Sequence, residues 1–247
     1  MHLERHAADG IHRVDHALVN FYLVEEGDSV TVVDAGHPSS WGPLQEALGA
    51  IGRDLGDVAA VVLTHGHFDH VGFARRAHEE LGVPVLAPQG EEHLVRHPWD
   101  YEHERSRLWH SVTHPQFVPA FLRMGLAGDL WVKGLDPTPY PLAGELDVPG
   151  RPQVVATPGH THAHCALHFP DRGALIAGDA IVTLNVYTGG KGPQIVSRAA
   201  TADSDQALAS LSALEATGAQ IVLTGHGPAW TQGAAAAAER ARDAGPS

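Results

Sequence analysis

The sequence predicts a mixed α and β domain in which helices pack outside β-sheet. Short apolar runs rich in β-branched residues alternate with segments of helical periodicity, the pattern expected when helices cover a sheet. In each half of the chain, a strand-rich part precedes a helical part. With 247 residues, the chain is long enough for one large domain with a substantial core. We therefore interpret residues 1–247 as a single domain.

The first half opens with two predicted strands, residues 17–24 and 29–33, because both are rich in β-branched and aromatic side chains. The three residues between 25 and 29 include Gly27 and are typical of a hairpin turn. A helix is predicted next, with Ser39 or Ser40 as its N-cap. Its apolar residues recur at helical spacing and are Leu44, Leu48 and Ile51.

The apolar run at residues 59–63 predicts a strand covered on both faces, and it leads directly into a histidine-rich segment at residues 64–70. A helix over residues 71–81 and a short strand over residues 83–87 complete the first half.

Residues 91–145 lose this regular pattern and carry several aromatic residues. We interpret them as an insertion that is partly helical, with a helix over residues 117–126, and that could close over a site as a lid. Regular signals resume after it. The predicted strands are residues 154–157, 165–169, 174–177 and 220–224, and the predicted helices are residues 204–216 and 233–244.

The composition excludes some classes of partner. The formal net charge is -13 with only 16 Lys and Arg residues, and phosphate binding depends on clustered basic side chains. We therefore expect a small-molecule substrate, no nucleic-acid partner and no membrane partner. A single cysteine and the lack of an apolar leader or spanning segment favour a cytoplasmic location. The oligomeric state is left open.

Four residues of types that bind metal ions fall within six positions after the strand at residues 59–63. They are His65, His67, Asp69 and His70. His65 and His67 are two positions apart, which places both side chains on one side of an extended segment, so both can reach one metal ion. Asp69 and His70, beyond the bend, can then face a second ion.

Three further candidate ligands follow predicted strands, each next to a glycine. They are His160 in Thr157-Pro158-Gly159-His160, Asp179 after Gly178, and His226 between Gly225 and Gly227. Glycine lets the backbone bring a ligand close to a metal ion. One such residue alone is weak evidence, but together they complete a set of seven.

The ordered motifs T-H-G-H-F-D-H, T-P-G-H, G-D and G-H-G resemble those of the metallo-β-lactamase superfamily. The resemblance implies an α+β fold, a four-layer αββα sandwich with two mixed β-sheets between outer helices. It also implies that His65, His67 and His160 bind one metal ion, that Asp69, His70 and His226 bind a second, and that Asp179 bridges the two. By the same resemblance, Asp34 would hold the histidine loop in place.

The resemblance further implies a metal-dependent hydrolase that uses a metal-bound hydroxide, with two Zn²⁺ ions, or Fe or Mn in their place. Asp69 would then serve catalysis as well as metal binding. An aspartate at position 179 is more similar to the thioester hydrolases and lactonases of the superfamily than to its β-lactamases, which usually carry Cys or Ser there. We therefore expect cleavage of a carboxylic ester, lactone or thioester. A β-lactam hydrolase, a mononuclear iron persulfide dioxygenase and a non-catalytic binding protein are the alternatives.

Other polar residues near these motifs are ambiguous. Tyr187 could donate a hydrogen bond to the substrate carbonyl or leaving group, or it could be a surface or core tyrosine. Lys191 could pair with an anionic substrate group or lie in a flexible turn. We interpret the evenly spaced residues His162, His164 and His168 as a solvent-facing row of a strand. We expect Cys165 to be buried rather than reactive.

Overall fold

Two β-sheets form the centre of the computed structural model, which describes residues 1–106 and 117–247. Within these residues the first sheet has seven strands in the order β1 to β7. Strands β1 to β4 form an antiparallel meander, and β4 to β7 run parallel. The strands are β1 (His2–Ala8), β2 (Ile11–His16), β3 (Val19–Glu26), β4 (Ser29–Val33), β5 (Val58–Val62), β6 (Val85–Pro88) and β7 (Thr138–Tyr140).

The second sheet has five strands within the described residues, in the order β14-β11-β10-β9-β8. It is antiparallel except for the β11–β14 pair, which is parallel. Its strands are β8 (Ala143–Glu145), β9 (Gln153–Ala156), β10 (Cys165–Phe169), β11 (Ala174–Gly178) and β14 (Ile221–Thr224). A separate two-stranded ribbon consists of β12 (Val182–Leu184) and β13 (Lys191–Gln194).

The described residues also form α-helices. They are α1 (Trp41–Ala50), α2 (Phe68–Val71), α3 (Ala74–Leu81), α4 (Glu92–Arg96), α5 (Phe117–Leu126), α6 (Ser204–Ala216) and α7 (Ala234–Ala244). No helix in the described ranges is long and apolar enough to cross a bilayer.

Three apolar clusters show how the layers stack, because alternate residues of one strand point to opposite faces of a sheet. In β3, Phe21 and Leu23 pack against α1 and α3, whereas Tyr22 and Val24 face the second sheet. Strand β10 repeats this division. Its Leu167 belongs to the cluster between the sheets, and Ala166 belongs to the cluster shared with α6 and α7. The predicted four-layer αββα sandwich is thereby confirmed.

The structure differs from the predicted elements at a few places. The predicted helix over residues 71–81 is interrupted at Gly72, where a Cβ atom would lie 2.0 Å from the backbone oxygen of Gly36. Only glycine allows this close approach, and after it the chain begins a new helix at Ala74. Ser40 is the N-cap of α1, but its side chain makes no cap hydrogen bond. Instead its Oγ accepts a hydrogen bond from the backbone N–H of His37.

The segment read as an insertion contributes to both sheets at its end. Its last residues form β7, which pairs with β6 of the first sheet, and β8, which pairs with β9 of the second. The helix predicted at residues 117–126 is present as α5. Whether the segment acts as a lid stays a prediction, and its residues 107–116 lie outside the described part.

Candidate metal centre

The seven candidate ligands meet at one end of the sandwich, between the two sheets. His65 and His67 lie in the loop after β5, and Asp69 and His70 lie in α2 directly behind it. His160 follows β9, Asp179 follows β11, and His226 follows β14. Loops that follow neighbouring strands at one edge bring residues far apart in sequence to one place. Both sheets therefore supply ligands to the same centre.

The side chains form groups of a size that fits metal ions. One group, the first set, is His65, His67 and His160, and another, the second set, is Asp69, His70 and His226. Within each set the ligand atoms lie within 4.8 Å of one another. A third group joins the two, because ligand atoms of Asp179, His65 and His70 also lie within 4.8 Å of one another.

Several of these atoms are buried and make no hydrogen bond within the described structure. They are Nε2 of His65, His67, His70 and His160, and Oδ1 of Asp179. Buried polar atoms are nearly always paired, so a convergent group of unpaired ones requires an explanation. Imidazole nitrogen and carboxylate oxygen are the donors that Zn²⁺ and similar divalent ions take up. The donor set therefore fits metal ions.

Asp179 occupies the centre of this arrangement. Its Oδ1 lies 3.6 Å from Nε2 of His70. Its Oδ2 lies 3.4 Å from Nε2 of His160 and 3.3 Å from Nε2 of His226. One carboxylate thus faces ligands of both sets.

In several of the histidines, a hydrogen bond to the second ring nitrogen orients the ring. Nδ1 of His226 donates to the backbone oxygen of Leu18 at 2.8 Å. Nδ1 of His65 lies 3.0 Å from Oγ1 of Thr64, which must accept because it donates its own proton to Asp34. With Nδ1 used in this way, Nε2 is the nitrogen left to supply a lone pair to a metal ion once it carries no proton.

Asp34 organises the histidine loop from behind. The residue is fully buried, and its φ of 61° lies in the left-handed region. Its carboxylate accepts hydrogen bonds from the backbone N–H of Thr64 at 2.8 Å and from Nδ1 of His70 at 3.0 Å. Because both bonds end on one carboxylate, Asp34 fixes the start of the loop relative to α2.

Comparison with known proteins agrees with this geometry. The family model of the metallo-β-lactamase superfamily matches residues 15–226, which include all seven candidate ligands. The chain belongs to the metallo-β-lactamase superfamily. It is 30% identical over 234 residues to the protein named "Probable metallo-hydrolase YflN" of Bacillus subtilis (strain 168), with 90% of this chain and 85% of that protein covered. The chain is a metal-dependent hydrolase.

Two further similarities add detail. A hydroxyacylglutathione hydrolase of Gloeobacter violaceus is 26% identical over 172 residues, which cover 69% of this chain and 52% of that protein. Among solved structures, a metallo-β-lactamase family protein of Thermus thermophilus superposes with a TM-score of 0.65 at 26% identity. That superposition covers 96% of this chain and 78% of the other. The superfamily fold therefore extends over nearly the whole chain.

The two ligand sets differ in the pKa values of their histidines. In the first set, burial lowers the pKa of His65 well below its usual value and lowers that of His67 to about 3. In the second set, burial also acts to lower the pKa, but the neighbouring carboxylates, with Asp179 the strongest, outweigh it. They raise the pKa of His70 to about 10 and that of His226 to about 9. Without metal, the first set is neutral and the second carries protons.

His164 corrects the prediction of a solvent-facing histidine row. His162 is exposed and pairs with Glu102, and His168 is partly buried, but His164 is fully buried. The prediction is wrong for His164 because the chain turns between residues 160 and 164, and β10 begins only at Cys165. Cys165 is buried, as expected.

The buried His164 supports the bridging carboxylate. Its Nε2 accepts a hydrogen bond from the backbone N–H of Asp179 at 3.1 Å, so its proton must sit on Nδ1, which lies 2.8 Å from Oγ1 of Thr157. Burial lowers the pKa of His164 to about 3, which keeps the ring neutral and able to accept. The repeated His-x-His spacing could have suggested a structural role, but only the folded loop shows which histidine has it.

Aromatic residues of the segment 91–145 line the neighbourhood of the first set. The ring of Tyr101 lies 4.3 Å from that of His67, and Trp99 stacks on Phe68 at 4.0 Å. Tyr187 is buried in the same apolar cluster as Phe68 and Tyr101. Its proposed contact with substrate stays a prediction.

Lys191 lies elsewhere on the molecule. It is exposed at the start of β13 and lines a surface cavity together with Glu239 and Asp243 of α7. It is therefore part of a strand rather than of the flexible turn considered as an alternative. No contact joins it to either ligand set among the described residues.

Proposed function

We propose that this protein hydrolyses a small carboxylic ester, lactone or thioester with the help of two divalent metal ions, zinc being the expected pair. The observation that carries the proposal is the position of Asp179, whose two oxygens face ligands of both sets at 3.3 to 3.6 Å. A carboxylate so placed suits a centre of two ions that share a ligand.

Divalent ions bound at these positions would supply Lewis acidity and lower the pKa of water, so that no serine or cysteine nucleophile would be required. The residues of the chain supply the ligands for these ions. The first set, neutral without metal, offers lone pairs directly, and the second set offers the carboxylate of Asp69 beside His70 and His226. Asp69 lies 3.5 Å from Nε2 of His226, so its charge acts where the substrate would react.

Tyr187 is the proposed hydrogen-bond donor to the substrate carbonyl or leaving group. Its burial beside Phe68 and Tyr101 supports this role, because a hydroxyl in an apolar wall donates a strong, poorly screened hydrogen bond. The same wall supports a partly apolar substrate.

The choice of substrate class has two supports. A relative over part of the chain is named a hydroxyacylglutathione hydrolase, and its substrate is a thioester. The net charge of -13 favours a small molecule over nucleic acid, because a nucleic-acid partner would need clustered basic side chains.

The proposal is tested by metal content and turnover on the same preparation. Elemental mass spectrometry of protein purified without added metal should give close to two zinc ions per chain. The protein should then hydrolyse members of a panel of thioesters, lactones and aryl esters faster than penams and carbapenems. One iron per chain with oxidation of a persulfide would identify the dioxygenase instead, and two metal ions with turnover of β-lactams alone would identify a β-lactamase.

A further inference from the structure

Glu91 is a buried carboxylate that none of the motifs above includes. It follows β6 at the beginning of the segment 91–145, and only 2% of its surface is exposed. It forms no salt bridge with any described residue, in contrast to the other buried carboxylates near the centre, which face histidines. A buried charge without a cationic partner lowers stability unless something else compensates it.

Glu91 accepts hydrogen bonds from two backbone N–H groups in two different ligand loops. Its Oε2 accepts from Gly66 at 2.9 Å, and its Oε1 accepts from Ala163 at 3.1 Å. Gly66 lies between His65 and His67, and Ala163 lies three residues after His160. One carboxylate therefore connects both loops that carry the first set.

Close packing reinforces this connection. A Cβ atom on Gly66 would lie 2.9 Å from Cβ of Leu94 and 2.9 Å from the backbone nitrogen of Val95. A Cβ atom on Gly90 would lie 3.0 Å from Cβ of Ala163. The chain around Glu91 therefore packs between the two loops and contacts each of them.

This geometry also explains why residue 91 is a charged glutamate rather than a neutral glutamine. A neutral glutamine could accept from only one of the two N–H groups, because its amide nitrogen is itself a donor. A carboxylate accepts from both, and positive ions bound by the adjacent first set would compensate its charge. The arrangement is costly for the metal-free chain and favourable for the loaded one.

We propose that Glu91 is the positioning residue of the first metal ion, because it sets the separation of the His65–His67 loop from the His160 loop. The inference rests on the proposed function only in assigning a metal ion to the first set. It concerns metal affinity at that set and not the choice of substrate.

The test compares zinc affinity in variants that keep a single set, measured by competition with a chromophoric chelator. Asp69→Ala leaves the first set, and His160→Ala leaves the second. Adding Glu91→Gln should weaken zinc binding by about 10–100-fold in the Asp69→Ala protein. In the His160→Ala protein it should change zinc binding by less than about twofold, since the side-chain hydrogen bonds of Glu91 end on the two loops that carry the first set. Glu46→Gln removes the same charge from the exposed face of α1 and should leave both affinities unchanged.

Three results would overturn the proposal. These are unchanged zinc affinity in the Asp69→Ala background, equal weakening in both backgrounds, and loss of the folded metal-free protein by circular dichroism in both Glu91→Gln and Glu91→Asp. The second or the third of these results would show that Glu91 stabilises the whole fold rather than the first set. Since the measurement uses no substrate, a wild-type protein that binds two ions without hydrolysing the panel would refute the proposed function and leave this inference standing.

Discussion

Asp34 and His70 are joined by a 3.0 Å hydrogen bond between Oδ2 and Nδ1, and both side chains are completely buried. The same oxygen accepts from Oγ1 of Thr64 at 2.9 Å. Through this carboxylate, the loop after β4 determines how His70 presents its other nitrogen to the second set.

We expect Asp34→Asn to weaken the second metal ion selectively. An asparagine amide can keep the bond from the Thr64 backbone but must turn a donor toward His70 or Thr64, so His70 loses its fixed orientation. Affinity for the second ion should fall by about 10–100-fold, measured by chelator competition. Asp28→Asn, on an exposed side chain, is the matched control, and equal loss of both ions would contradict the selective effect.

Asp69→Ala should remove mainly the second ion and reduce hydrolysis by orders of magnitude while the fold stays intact. The reason is that Asp69 provides the only carboxylate of the second set apart from the shared Asp179. Metal content, turnover and circular dichroism are measured together. His2→Ala, at an exposed position of β1, controls for the loss of a potential ligand type. Full turnover with one ion retained would show that a single ion is sufficient.

Metal binding to the two sets should depend differently on pH. His70, with its pKa raised to about 10, and His226, with its pKa raised to about 9, hold protons at neutral pH. A metal ion must displace these protons, so affinity at the second set should fall as pH decreases below about 10, and protons should be released on binding.

The first set should behave otherwise, since the pKa of His67 is lowered to about 3 and that of His65 well below its usual value. Calorimetry in buffers of different ionisation enthalpy counts the released protons. It should find release on loading the His160→Ala protein and almost none on loading the Asp69→Ala protein. Equal release in both would contradict the assigned charge states.

His164→Phe should lower both stability and hydrolysis. Phenylalanine has a ring of similar size but cannot accept the N–H of Asp179, and an unsatisfied buried donor costs about 1–3 kcal/mol. The free energy of unfolding is measured with urea on metal-free protein. His168→Phe, three residues into the adjoining strand and only partly buried, is the control. If hydrolysis and stability are retained in His164→Phe, the hydrogen bond to Asp179 has no supporting role.

Tyr187→Phe tests the proposed hydrogen bond to the substrate. Because only the hydroxyl is removed, the apolar cluster with Phe68 and Tyr101 should persist. We expect kcat to fall by about 10²-fold, the effect of losing one donor to developing negative charge, with metal content unchanged. Unaltered kcat would make Tyr187 a packing residue.

The sequence was most informative where local pattern alone determines structure. Helices α5 and α6 begin and end as predicted, because helical periodicity is a local property of the sequence. Strands β1 and β2 are not predicted. His2–Ala8 carries mostly polar side chains and is half exposed at the edge of its sheet, and Ile11–His16 has only two apolar residues. An edge strand of this kind lacks the apolar alternation that would reveal it.

The residues of the candidate site likewise fall into two groups, those that the sequence reveals and those that only the folded structure reveals. The seven ligands stand in compact motifs next to glycine, so their chemistry is visible in the sequence. The roles of His164 and Glu91 depend on hydrogen bonds to the backbone of Asp179, Gly66 and Ala163, which come from distant parts of the chain. Such contacts exist only after folding, and residue type alone does not reveal them.

The division of the metal ligands between the two sheets affects how well the folded protein resists unfolding and proteolysis. Four ligands belong to the half built on the first sheet, and His160, Asp179 and His226 belong to the other. Bound ions would therefore act as a reversible cross-link between the halves in a chain whose single cysteine allows no internal disulfide. An ion that binds only the folded state stabilises that state more as the free concentration of the ion increases. The resistance of the protein to proteolysis would therefore rise and fall with the metal supply.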